Sequence, residues 1–214
     1  MPLAMYEEVI KKILESIDEK ALAKLPKFSG EGYKPCKIDL RNFHQIRRAK
    51  NEGKIAFVDA GNAEIIGSAN FSLSLIRVCC TLYQSNKKLG FKKFEILAFT
   101  QAVSQENEIW YKTSFFKTSN PMELQEISFN SFDHSLMMGI NRADISSIAS
   151  AIRRFAELEL AKLIAKEKIA DAMVLDGNLQ GTLTNENKCL SELYEECEKN
   201  NVVLSALSLS LIHI

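Results

Sequence analysis

Two segments far apart in the chain share one form. Ile55-Ala56-Phe57-Val58-Asp59 and Ala172-Met173-Val174-Leu175-Asp176 each run four apolar residues into an aspartate. A compact apolar run closed by a polar stop is the pattern of a buried strand. Ala60-Gly61-Asn62 follows the first and Gly177 the second, so a turn is expected at each Asp. A carboxylate at the end of a central strand sits where the sheet opens to solvent, and a nearby glycine lets a ligand come close.

The segments between and around them supply the rest of a sheet. Phe71-Ser72-Leu73-Ser74-Leu75 alternates strictly, which predicts a long strand from about Ala63 to Tyr83. Lys87, Lys88 and Gly90 mark the next turn, Phe94 to Thr100 a third strand and Ile109 to Phe116 a fourth. Connections this short make an antiparallel meander. Residues 122–140 are mixed in pattern. Asp144 is a good N-cap for a long helix reaching about Lys168. Asn185 to Lys199 reads as another helix and Val202 to Ala206 as a short strand. Ahead of all this, Val9, Ile10, Ile13, Leu14 and Ile17 give helical spacing within Tyr6 to Leu25. A polar connector with Pro26, Gly30, Gly32 and Pro35 follows, then a short basic helix or turn from Arg41 to Asn51. Antiparallel hairpins followed by helix, strand, helix, strand imply a mixed α/β fold: a meander plus parallel strands in one sheet, flanked by helices.

Composition bounds the function. With 214 residues, 46% of them apolar, the chain can bury a substantial core as one soluble domain. Its 27 basic and 27 acidic residues cancel, which removes a globally basic chain as an argument for nucleic-acid binding. Local patches remain: Arg41, Arg47, Arg48 and Lys50 form one, and Lys87, Lys88, Lys92 and Lys93 another. The amphipathic start has no apolar signal region, and Ile65 to Tyr83 is broken by Gly67, Asn70, Arg77 and serines, so no membrane span is expected. The five cysteines, Cys36, Cys79, Cys80, Cys189 and Cys197, form no CxxC and read as reduced packing residues of a cytoplasmic protein. Leu209 to Ile214 resembles translated sequencing-adaptor DNA. Residues 209–214 are therefore expected to be a non-native tail on a truncated chain, and His213 is no site candidate.

If the two Asp-ended strands are neighbours, Asp59 and Asp176 converge. Converging carboxylates repel unless a cation holds them, so a divalent metal is their natural partner. The simpler alternative is that each Asp starts a turn or caps a helix. The long helix offers a third acid. Ile145, Ile148, Ile152, Ala156 and Leu163 form a stripe that includes Glu159, whereas Glu157 projects away from it and is the reserve candidate. Glu64 and the pair Asp133-His134 are weaker candidates. Trp110 and Tyr111 could stack on bases, although core packing suits Trp110 better.

Lys54 to Ile65, with Asp59-Ala60-Gly61-Asn62 inside it, and Met173-Val174-Leu175-Asp176-Gly177-Asn178-Leu179 resemble the two signature segments of the NurA nuclease family. Arg153 to Ala161 resembles that family's intervening acidic helix. Ala60 departs from the glycine common at that position. The resemblance covers about Tyr6 to Ser208. It implies an RNase H-like fold, with residues 1–54 as N-terminal helix and basic connector and 55–208 as the nuclease domain. It implies Mn²⁺- or Mg²⁺-dependent DNA hydrolysis, of 5′–3′ exonuclease and single-strand endonuclease type. The partners it implies are DNA, a HerA-type hexameric ATPase in end resection and double-strand break repair, and a second copy in a homodimer. By motif, Asp59, Glu159 and Asp176 carry over as catalytic metal ligands. From the two basic clusters, Arg41, Arg47, Arg48, Lys87 and Lys88 are the candidates to meet the DNA backbone; the alternative for each cluster is a solvated surface or turn run. A non-catalytic binding or assembly subunit on the same fold, or an inactive fragment, is the competing expectation.

Overall fold

The computed structural model describes residues 52–117 and 126–207, together with Lys11, Lys12, Met122 and Leu124. The chain divides into two compact units, Met1–Ala49 and Lys50–Ile214. Of the first, Lys11 and Lys12 are described, both helical and exposed. The rest of the expected N-terminal helix, the connector, the basic stretch with Arg41, Arg47 and Arg48, and the C-terminal tail lie outside the described residues.

The second unit is a mixed α/β structure. Its strands are β1 (Lys54–Gly67), β2 (Phe71–Gln84), β3 (Lys87–Gln105), β4 (Glu108–Lys117), β5 (Ile127–Asn130), β6 (Ala172–Asp176) and β7 (Val203–Leu207). Among the described residues they form one sheet in the order β5-β4-β3-β2-β1-β6-β7. The first five are an antiparallel meander, and β6 joins β1 in parallel, with β7 parallel outside it. Two helices, α1 (Ile148–Lys166) and α2 (Glu186–Asn200), complete the described part. None is long and apolar enough to cross a membrane.

One face of the sheet carries the core. Ala56 and Val58 on β1, Ile76 and Val78 on β2, and Ile96 and Ala98 on β3 are buried at alternate positions. Helix α1 packs on β1 and β2, with Ile148, Ile152, Ala156, Leu160 and Ile164 among its buried residues, and α2 packs against α1. The opposite face is open: Phe57 is 42% exposed and Phe116 58%. The compact run in β1 is therefore not buried on both sides. A strand alternates faces whatever its composition, and the two described helices cover only one of them.

The turns differ from those expected. β1 does not stop at Asp59 but continues to Gly67, so Gly61 lies inside a strand. The expected single strand from Ala63 to Tyr83 is two, joined through residues 68–70, where Ser68 N donates to Phe71 O at 2.8 Å. The next hairpin turns at Ser85 and Asn86, before the lysines, and the β3–β4 hairpin turns at Glu106 and Asn107. All four residues have positive φ, between 48° and 63°. Mirror-image two-residue turns of this kind match the twist of the flanking strands. β5 emerges from the unassigned stretch and pairs with β4 over Trp110↔Asn130 to Thr113↔Ile127. Asp144 does cap a helical turn, accepting from Ser146 N at 2.9 Å, but that turn is a 3-10 segment, Ile145–Ser147, leading into α1.

Candidate active site at the end of β6

β1 and β6 pair from Ile55↔Ala172 to Val58↔Leu175. The pairing is clipped at its start, where Lys54 N donates to the Asp171 carboxylate at 2.8 Å and Asp171 N to Lys54 O at 2.9 Å. Asp59 and Asp176 are the next residue on each strand. Val58 and Leu175 are buried under α1, so alternation turns the two aspartates to the open face. Asp59 is exposed and Asp176 partly so. Neither makes an ion pair with another described residue. Gly177 then takes φ +95°, a backbone state that glycine alone adopts readily, and this ends β6 directly after the carboxylate.

The helical acids are placed the other way round from the sequence expectation. Glu157 faces the sheet, and its side chain is 3% exposed. Arg153 Nη1 reaches Glu157 Oε1 at 2.9 Å and Ala60 O at 3.0 Å, which fixes this face of α1 against β1 beside Asp59. Burial raises the Glu157 carboxyl above its ordinary value; Arg153 and Arg154 pull it down, and the charge of Asp59 adds a smaller upward push. Asp59 is thus within electrostatic range of Glu157. Glu159 lines a groove of about 680 Å³ between α1 and α2, where Lys162 Nζ bonds it at 2.7 Å and Glu192 at 3.0 Å. It is not beside the two aspartates. The periodic stripe misled because α1 is sandwiched: Phe155, Leu158 and Ala161 are buried as well, so burial alone does not identify the sheet-facing side.

Arg154 joins the pieces, and sequence reasoning did not single it out. Its Nε donates to Glu186 Oε1 at 2.7 Å, Nη1 to Glu157 Oε2 and to Asp176 O, both at 3.3 Å, and Nη2 to Asn178 O at 2.7 Å. Glu186, at the start of α2, also accepts from Thr182 N at 2.7 Å and Leu183 N at 3.0 Å. Burial would raise the Glu186 carboxyl, but Arg154 and these backbone donors outweigh it and hold it below its usual value. The available signals were Arg153-Arg154 three and four residues before Glu157, and an acid in a first helical turn.

The other candidates have local roles. Glu64 accepts from Ser72 Oγ at 2.8 Å, and Asp133 accepts from Ser135 Oγ at 2.6 Å and Thr184 Oγ1 at 2.9 Å. Tyr111 is buried and donates to Ala143 O at 2.7 Å, whereas Trp110 is half-buried. The lysine cluster on β3 is divided. Lys88 lies over the Phe91 ring, Lys92 pairs with Glu167 at the end of α1 and Lys93 with Glu95, while Lys87 is exposed. The four described cysteines are free thiols. Burial pushes Cys80 up to about 11 and raises Cys79, Cys189 and Cys197, as packing residues require.

Compared with known proteins, the chain matches no family model and no curated sequence. The donor set is then the test of whether a metal fits. Among the described residues no group of three or more His, Cys, Asp or Glu side chains is set to hold an ion. Asp59 and Asp176, the residues that follow the last β1–β6 pair, offer carboxylate oxygens only. That suits a hard divalent cation, which commonly takes one or two carboxylates and completes its shell with water and substrate phosphate.

Proposed function

We propose that this chain is a divalent-metal-dependent DNA nuclease of the NurA type on an RNase H-like fold. It would act with a HerA-type hexameric ATPase in end resection, as a cytoplasmic homodimer. The observation that carries the reading is that Asp59 and Asp176 each directly follow the last pair, Val58↔Leu175, of the parallel β1–β6 pairing. The meander continued by two parallel strands is a mixed α/β sheet, which supports the reading at the level of fold class. Asp59 and Asp176, on the open face, would hold Mn²⁺ or Mg²⁺; Glu159 is the residue assigned by motif and Glu157, on the helix-covered face, the reserve candidate. When bound, the cation supplies charge neutralisation at the phosphate and a more acidic water. The protein's own part is to orient the two carboxylates, leave the face over Gly61 bare for the phosphate, and meet the backbone with exposed lysines such as Lys87.

DNA degradation in Mn²⁺ that stops with a chelator is the expected result, and an Asp59→Ala, Asp176→Ala double variant should lose it. Equal degradation by that variant would sink the assignment. One observation favours a second reading, a non-catalytic binding or assembly subunit: Glu157 is held by two arginines and Glu159 is turned to the groove, leaving two carboxylates at the sheet. That reading predicts DNA retention in a binding assay with no Mn²⁺-dependent cleavage.

A further inference from the structure

We infer that Arg154 is a positioning residue for this carboxylate site, setting the direction of Asp176 through the backbone of the β6–α2 turn. The inference rests on the metal-site reading above. Gly177 has no side chain to pack, and a Cβ there would touch nothing within 4 Å, so local packing does not fix the turn. On the β7 side Gly177 N donates to Leu207 O at 3.2 Å, and further along Tyr194 Oη donates to Leu179 O at 2.7 Å. On the α1 side the guanidinium holds it, binding the carbonyls on either side of Gly177, those of Asp176 and Asn178. The same group bonds Glu157, which faces β1, and Glu186, which starts α2. A single planar fork therefore relates the end of β6 to the acid on α1. Only 12% of the Arg154 side chain is exposed, so its position is set by these bonds. Lysine would keep the charge but could not serve four acceptors in one plane. The open sheet face and the groove at Glu159 carry no comparable set of converging bonds.

The test compares the whole protein with Arg154→Lys, and with Arg142→Lys as a control. Arg142 lies over the Phe132 ring, just after β5 at the far edge of the sheet from β6. Two quantities are read: amide hydrogen exchange of residues 176–181 without metal, and the Mn²⁺ dissociation constant by calorimetry. Arg154→Lys should speed exchange in the turn and raise the dissociation constant by about tenfold or more, the usual effect of removing an outer-sphere partner. Arg142→Lys should change neither. Wild-type exchange and affinity in a folded Arg154→Lys protein would overturn the inference, as would a loss of thermal stability alone. If wild type binds no Mn²⁺, the metal reading and the positioning role fall together. Binding that Arg154→Lys shares removes the positioning role alone. Should Arg154→Lys not fold, Glu186→Gln loosens the same guanidinium from α2 and is read by the same criteria.

Discussion

Glu186 shows how much one buried acid can hold. It is 1% exposed and takes bonds from an arginine and two backbone N–H groups. Its carboxyl is depressed in the folded protein, so its contribution to stability is fully present above the unfolded carboxyl value. That contribution is lost as pH falls through the folded value. Glu186→Gln should therefore cost roughly 1–3 kcal/mol near neutral pH. The gap from wild type should narrow as pH falls below the ordinary carboxylate range, which thermal melts across an acid series would show. A gap that stays constant to low pH would mean the charge of Glu186 does not stabilise. Glu157 has the opposite sign: its raised carboxyl favours the fold below the unfolded value and loses that contribution as pH rises through the folded one. At this scale the sequence was only partly legible. Asp59 and Asp176 stand out because the sheet period brings them together once their strands pair. Glu157 does not stand out, because the face an acid takes on a sandwiched helix is decided by partners such as Arg153 and Ala60 O, which no periodicity contains.

At the scale of elements, the types were readable and the joints were not. The four-residue apolar run before Asp176 is β6 with its turn where expected, because Gly177 is needed at φ +95°. The matching run before Asp59 is only the first part of β1, since β2 continues to pair with it through Gly67↔Ser72. Tertiary pairing overrode the local stop formed by Asp59-Ala60-Gly61-Asn62. The hairpin turns at Ser85-Asn86 and Glu106-Asn107 escaped because neither contains the glycine that usually marks such a turn. Gly177→Ala should test the better-marked joint. A β-carbon has room but the backbone state is strained, so a loss on the order of 1–3 kcal/mol is expected in denaturant melts. A neutral or stabilising result would mean that the turn relaxes to another conformation.

Across the whole unit, the sheet is covered by helices on one face and carries the two aspartates on the other, where the parallel strands meet the meander. The mixed sheet and its helices were predictable from the order of apolar patterns, and the neighbour relation of β1 and β6 followed only as a condition. The clip between Lys54 and Asp171, 117 residues apart in sequence, shows what that relation demands. Hairpins β1 to β4 close through turns of a few residues, whereas β6 can reach β1 only after the meander and α1 have been made. Chain closure over such a separation is slow compared with hairpin formation. The site should thus be the last feature to appear in time. In refolding experiments, protection of the β2 and β3 amides should precede protection of β6, and the capacity to bind Mn²⁺ should arise with the later phase. Simultaneous protection of β2, β3 and β6 would refute that order. A newly made chain would then pass through a stage in which it is largely folded and chemically silent.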